Sequence, residues 1–168
     1  MKQLLQLSLI NVDASGAVFS ECRTWRYGLW RIWDADLPMM AFCGLNPSTA
    51  DENKDDPTIR RCVNFSKDWG YGGLYMLNAY GYRATDPADM KRAIDPVGPD
   101  NDRWLIHFAE RSALVIAAWG VHCSAERESE VYQLLNQNVY CLGTTKAGHP
   151  RHPLYLKKTS ERIPWQPW

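Results

Sequence analysis

Asn46, Asn78, Lys146, His149 and His152 all stand at or just after the ends of apolar runs, with Arg151 between the two histidines. A carboxamide donates and accepts as the edge of a nucleobase does, and a histidine can donate to a carbonyl oxygen that gains charge. The chemistry these types share is the reading of a polar ring and the stabilisation of charge on it. Phe65, Trp69, Tyr71 and Tyr80 are aromatic side chains that offer a face for stacking. Spacing does not choose among them.

The segment Gly44-Leu45-Asn46-Pro47-Ser48 follows the run Met39-Met40-Ala41-Phe42-Cys43. Gly44 permits backbone angles closed to other residues, and Pro47 fixes its own φ and steers Asn46 away from helix. The segment therefore reads as a rigid polar loop at the carboxyl end of a buried strand, where open α/β sheets place ligands. A strand-ending Asn-Pro turn is the plain structural alternative. Gly73 to Leu77 ends in Asn78, Leu114 to Ala118 ends in Trp119-Gly120, and Val139 to Leu142 leads to Gly143-Thr144-Thr145-Lys146 and His149-Pro150-Arg151-His152.

Segments of helical length separate these runs. Asp56-Pro57 and Asp86-Pro87 each join an N-cap to a proline at the first helical position, Asp100 or Asn101 opens a third helix, and Ser124 caps a fourth. The capping role argues against Asp56 and Asp86 as catalytic carboxylates. The first helix should stop at Gly70. Residues near 4 to 12 and 17 to 33 read as extended, with Tyr27 to Trp33 alternating at period two, which predicts an antiparallel hairpin beside the main sheet. The tail after Lys158, with Pro164 and Pro167, reads as a surface strap. The expected fold is a three-layer α/β/α sandwich around a mainly parallel sheet, with an N-terminal antiparallel hairpin.

The 168 residues fit a single domain spanning 1–168, large enough to bury a core without disulfides or metals. Nineteen basic and nineteen acidic residues cancel, so the whole-chain field does not announce a nucleic-acid partner. Eight tryptophans and eight tyrosines supply an aromatic core with rings to spare for stacking. The five cysteines, Cys22, Cys43, Cys62, Cys123 and Cys141, are widely spaced and lack a C-x-x-C pair, which reads as reduced thiols in a cytoplasmic protein. No signal peptide or membrane span is expected. No zinc-ligand spacing or phosphate loop is present in the sequence, so neither metal nor cofactor is expected. His107 lies on a patterned helix and reads as a packed or exposed residue; His122 follows the third run, where it reads first as a structural residue and only second as one facing the ligand edge.

The order of these segments resembles the uracil-DNA glycosylase superfamily. G-L-N-P-S at Gly44 to Ser48 is similar to its first motif, L-Y-M-L-N-A-Y at Leu74 to Tyr80 to its second, V-I-A-A-W-G at Val115 to Gly120 to its third, and H-P-L-Y-L at His152 to Leu156 to its last. More closely, L-N-P-S-T-A-D, D-D-P-T-I-R-R, Y-R-A-T-D-P, G-P-D-N-D and P-R-H-P-L-Y-L resemble the bacterial and phage family catalogued as domain of unknown function 1643. That second likeness supplies no activity.

The glycosylase resemblance implies that Asn46 positions water, Asn78 reads the base and His152, or alternatively His149, meets charge on the departing base. Ser48, Lys146 and Arg151 join the expected substrate-binding set. An asparagine at position 46 orients water rather than acting as a base, Ser48 replaces the glycine or tyrosine common in that motif, and the iron-sulfur cysteines of some branches are missing. The expected function is hydrolysis of an N-glycosidic bond to a nucleobase in nucleic acid or nucleotide. The alternative is a non-catalytic nucleotide or nucleic-acid recognition module on the same scaffold.

Overall fold

The computed structural model describes residues 14–136 and 138–168. Among the described residues, one sheet holds β1 (Ser15–Phe19), β2 (Arg26–Ile32), β3 (Met39–Gly44), β4 (Gly73–Asn78), β5 (Val115–Ala117), β6 (Val139–Cys141) and β7 (Ile163–Pro164). Their order across the sheet is β1-β2-β4-β3-β5-β6-β7. The central strands β4, β3, β5 and β6 run parallel, while the β1–β2 hairpin and β7 pair antiparallel at the two edges. The hairpin is as the alternation predicts; the expected extended residues 4 to 12 lie outside the described residues.

Among the described residues, four α-helices connect the strands: α1 (Pro57–Asp68), α2 (Pro87–Arg92), α3 (Asn101–Ala109) and α4 (Ala125–Leu135). Their starts follow from local chemistry. Asp56 Oδ1 accepts from Ile59 N at 2.9 Å, Asp86 Oδ1 from Ala88 N at 2.8 Å, and Ser124 Oγ from Arg127 N at 3.2 Å. Beyond α1, Gly70 takes φ +81°, a conformation that glycine adopts without a Cβ penalty.

Strand pleating sends alternate side chains to two cores. Met40 and Phe42 pack with Ile59 and Phe65 of α1, whereas Ala41 and Cys43 belong with Leu105 and Phe108 of α3 and Val131 and Leu135 of α4. Helices therefore cover both faces of the sheet. The chain leaves β3 through α1 to reach β4 on one side, while β5 lies on the other side of β3. Strand order reverses there, and such a switch point opens a crevice at the carboxyl ends.

The tail differs from a strap. Ile163–Pro164 pairs with β6, and buried Trp165 donates from Nε1 to Gly148 O at 3.0 Å. An edge strand tolerates the proline that disguised it. No helix among the described residues is long and apolar enough to cross a membrane.

Gly28, in β2, lets the sheet meet α3 closely. A Cβ there would lie 2.3 Å from Phe108 Cε2. Gly28→Ala is expected to destabilise the fold by about 1–3 kcal/mol through overpacking. Thermal denaturation checks this, and an unchanged melting temperature would mean that the Phe108 ring yields freely.

Candidate functional site

A crevice of about 800 Å³ lies over the carboxyl ends of β3 and β4 and the segment after β5. Its size suits a small organic ligand. The loop after β3 contributes Asn46 and Ser48, the end of β4 contributes Asn78, and the turn after β5 contributes Trp119 and His122. Arg151, His152 and Tyr155 close it from the last loop, and Arg26 and Asp56 add charged side chains to its lining.

Backbone hydrogen bonds hold these segments together. Ala79 N donates to Gly44 O and Tyr80 N to Leu45 O, each at 2.9 Å, so the ladder between β3 and β4 continues into their loops. Gly120 N donates to Pro150 O at 2.8 Å, tying the histidine-bearing loop to the end of β5. Arg61 of α1 donates from Nη2 to Leu156 O, fixing the far side of that loop. The site rests on rigid neighbours rather than on free loops.

Asn78 is 3% exposed, and its side chain makes no hydrogen bond among the described residues. Its backbone oxygen is satisfied by Asn101 Nδ2 at 3.0 Å, which leaves the carboxamide facing the crevice as an uncommitted donor and acceptor. A buried polar group costs free energy until something pairs with it. Gly44 makes room for it, since a Cβ there would lie 3.2 Å from Asn78 Oδ1.

Asn46 is placed differently. Its Nδ2 donates to Ala84 O at 2.8 Å and Pro47 O at 3.1 Å, clamping the loop to the chain beyond β4. Only its oxygen is left for a ligand or water. The Asp56 carboxylate both caps α1 and lines the crevice.

His152 has a defined proton arrangement. Its Nδ1 accepts from Leu154 N at 3.3 Å, so the neutral ring carries its proton on Nε2. Burial lowers its pKa from the ordinary imidazole value, with the nearby Asp56 acting in the opposite sense. The neutral ring is thus a hydrogen-bond donor near pH 7. Because the folded chain resists protonation that the unfolded chain accepts, stability should fall as pH drops below about 6.5. His152→Gln is expected to flatten that part of the profile in denaturant titrations between pH 7 and 5; a profile of unchanged slope would contradict the lowered pKa.

Lys146 and His149 lie outside the lining. The Thr144–Pro150 bridge closes a turn that leaves Lys146 exposed, and His149 Nδ1 lies 2.6 Å from Glu128 Oε1. That same carboxylate oxygen accepts from Trp119 Nε1 at 2.9 Å, so His149 supports the crevice wall from behind. Phe65, Trp69, Tyr71 and Tyr80 are not lining residues either; Phe65 and Trp69 stack into the core around Phe42. The rings at the crevice are Trp119 and Tyr155, the latter 5.6 Å from the His152 ring between centroids. Sequence reasoning missed Arg26 and gave Asp56 a capping role alone. Among the described residues, no group of three His, Cys, Asp or Glu is placed to hold a metal ion.

Residues 26–154 match the model of a family described as protein of unknown function (DUF1643), and the chain belongs to that family. A comparison with curated proteins finds no match.

Proposed function

We propose that, in this member of the family, the crevice takes a nucleobase carried by nucleic acid or nucleotide and hydrolyses its N-glycosidic bond. One observation carries the reading: the buried Asn78 carboxamide has no hydrogen-bond partner among the described residues and faces a cavity at the switch point of the sheet. A carboxamide so placed pairs with a ring edge that offers one donor and one acceptor.

The reaction needs three things besides recognition. As the bond between sugar carbon and base nitrogen breaks, its electron pair leaves with the base, and the neutral His152 Nε2–H supplies a donor to an oxygen gaining that charge. Water then adds to the sugar carbon. Asn46 Oδ1 and the Asp56 carboxylate are the acceptors available to orient it, with its proton passing to Asp56 or to solvent. The order of the glycine-asparagine loop, the Asn78 strand and the His152 loop resembles the uracil-DNA glycosylase superfamily and supports the same assignment.

A second reading is recognition without turnover. It is favoured by the Asn46 Nδ2, which is spent on Ala84 and Pro47 carbonyls, and by the capping bond that occupies one Asp56 oxygen. Incubation with a panel of nucleosides and modified-base oligonucleotides, followed by mass spectrometry for free base, separates the two. Released base selects the hydrolase; saturable binding without release selects the recognition module.

Any binding to nucleic acid should weaken as salt rises, since Arg151 and the neighbouring Lys157 and Lys158 supply only local positive charge on a chain of formal net charge zero. Fluorescence anisotropy across salt concentrations measures this. Tight duplex binding insensitive to ionic strength would contradict it.

A further inference from the structure

Arg26 is 2% exposed and lines the crevice, yet no carboxylate of the described residues lies within ion-pair distance of it. Its Nη1 donates to Ala50 O at 3.0 Å, and its fully buried Nε has no hydrogen-bond partner among the described residues. Neighbouring arginines are paired: Arg31 meets Asp55 at 2.8 Å and Arg23 meets Glu52 at 2.7 Å. A guanidinium removed from water without a counter-charge is costly, and an anionic ligand offsets that cost.

Burial lowers the Arg26 pKa to about 10, with Asp56 opposing the shift and Arg83 and Arg31 adding to it. Even so, Arg26 is charged at neutral pH. The crevice lining holds two guanidiniums, Arg26 and Arg151, against the single carboxylate of Asp56. Its charge balance therefore favours an oxyanion.

We propose that Arg26 is an anion-binding residue of this crevice, and that the ligand carries a phosphate whose oxygen accepts from the Arg26 guanidinium while its base pairs with Asn78. The identity of the base end rests on the reading given above; the anion end stands on Arg26 alone. A planar guanidinium with free donors suits phosphate geometry. The phosphate belongs either to a free nucleotide or to a strand.

Isothermal titration of the full chain with inorganic phosphate, with nucleosides, with their 5′-monophosphates and with trinucleotides of the same central base tests this. The wild-type protein should bind phosphate, and its preferred monophosphate or trinucleotide about tenfold more tightly than the nucleoside. Arg26→Gln should abolish phosphate binding and bring that ratio to about one. If Arg26→Gln fails to fold, Arg26→Lys, which keeps the charge and loses the fork, should still reduce the ratio about threefold. Preference for the monophosphate identifies a free nucleotide, and preference for the trinucleotide identifies a strand; both support the site. Phosphate binding that depends on Arg26 without nucleoside binding supports the anion site and overturns the base reading. No gain from phosphate in the wild type, or a ratio preserved in both Arg26 variants, overturns the anion site.

Discussion

Asn78→Asp is expected to weaken binding of the base that the wild-type protein prefers by about 100-fold near pH 8, and by less near pH 6. The substitution keeps the shape of the side chain and removes its amide donor. A carboxylate in a position 3% exposed would also meet a desolvation penalty, so its pKa would rise above the ordinary aspartate value. At lower pH the protonated acid regains one donor and one acceptor, which is why part of the affinity should return. Titration calorimetry with a nucleoside panel at both pH values measures the effect, and a melting curve confirms that the variant folds. An unchanged base preference at both would remove Asn78 from the site.

If the crevice hydrolyses the bond as proposed, His152→Ala should lower kcat about 100-fold while leaving KM within about threefold, because the donor would then act on charge that develops only as the base departs. Equal losses in both constants would indicate ground-state binding. His152→Asn restores a neutral donor on a shorter side chain, so a partial recovery of kcat would assign the loss to the hydrogen bond rather than to the loop. The backbone bond from Leu154 N to Nδ1 disappears in the alanine variant. Rescue is therefore the discriminating measurement.

Much of the fold was legible because its punctuation is local. Asp56-Pro57, Asp86-Pro87 and Ser124 mark helix starts through side-chain bonds that span only two or three residues. The strand ends at Gly44 and Asn78 were legible for a related reason, since an apolar run followed by a polar turn residue reports both burial and exit. That these two residues are direct neighbours in the parallel ladder is visible only in three dimensions.

Arg26 shows where local reading stops. It sits at the start of β2, and it reaches the crevice because the hairpin packs antiparallel against β4 and directs its guanidinium to the Ala50 carbonyl. Neither that register nor the absence of a carboxylate partner can be read from the residues around it. His149 and Lys146 show the converse. Their place after the end of an apolar run suggested a shared pocket, but the Thr144–Pro150 bridge folds these residues into a turn of their own. Asp56 was assigned one role by its proline neighbour, while the structure gives the same carboxylate a second position in the crevice lining.

Nuclear magnetic resonance of the Asn78 side-chain amide during titration with nucleosides shows whether this carboxamide meets a base. The two Nδ2 protons of Asn78 should shift and saturate with one nucleoside, while those of Asn101, which donate to the Asn78 and Ala79 carbonyls, should hold nearly still. Saturable nucleoside binding that leaves the Asn78 amide unmoved, or no nucleoside binding at all, would contradict it.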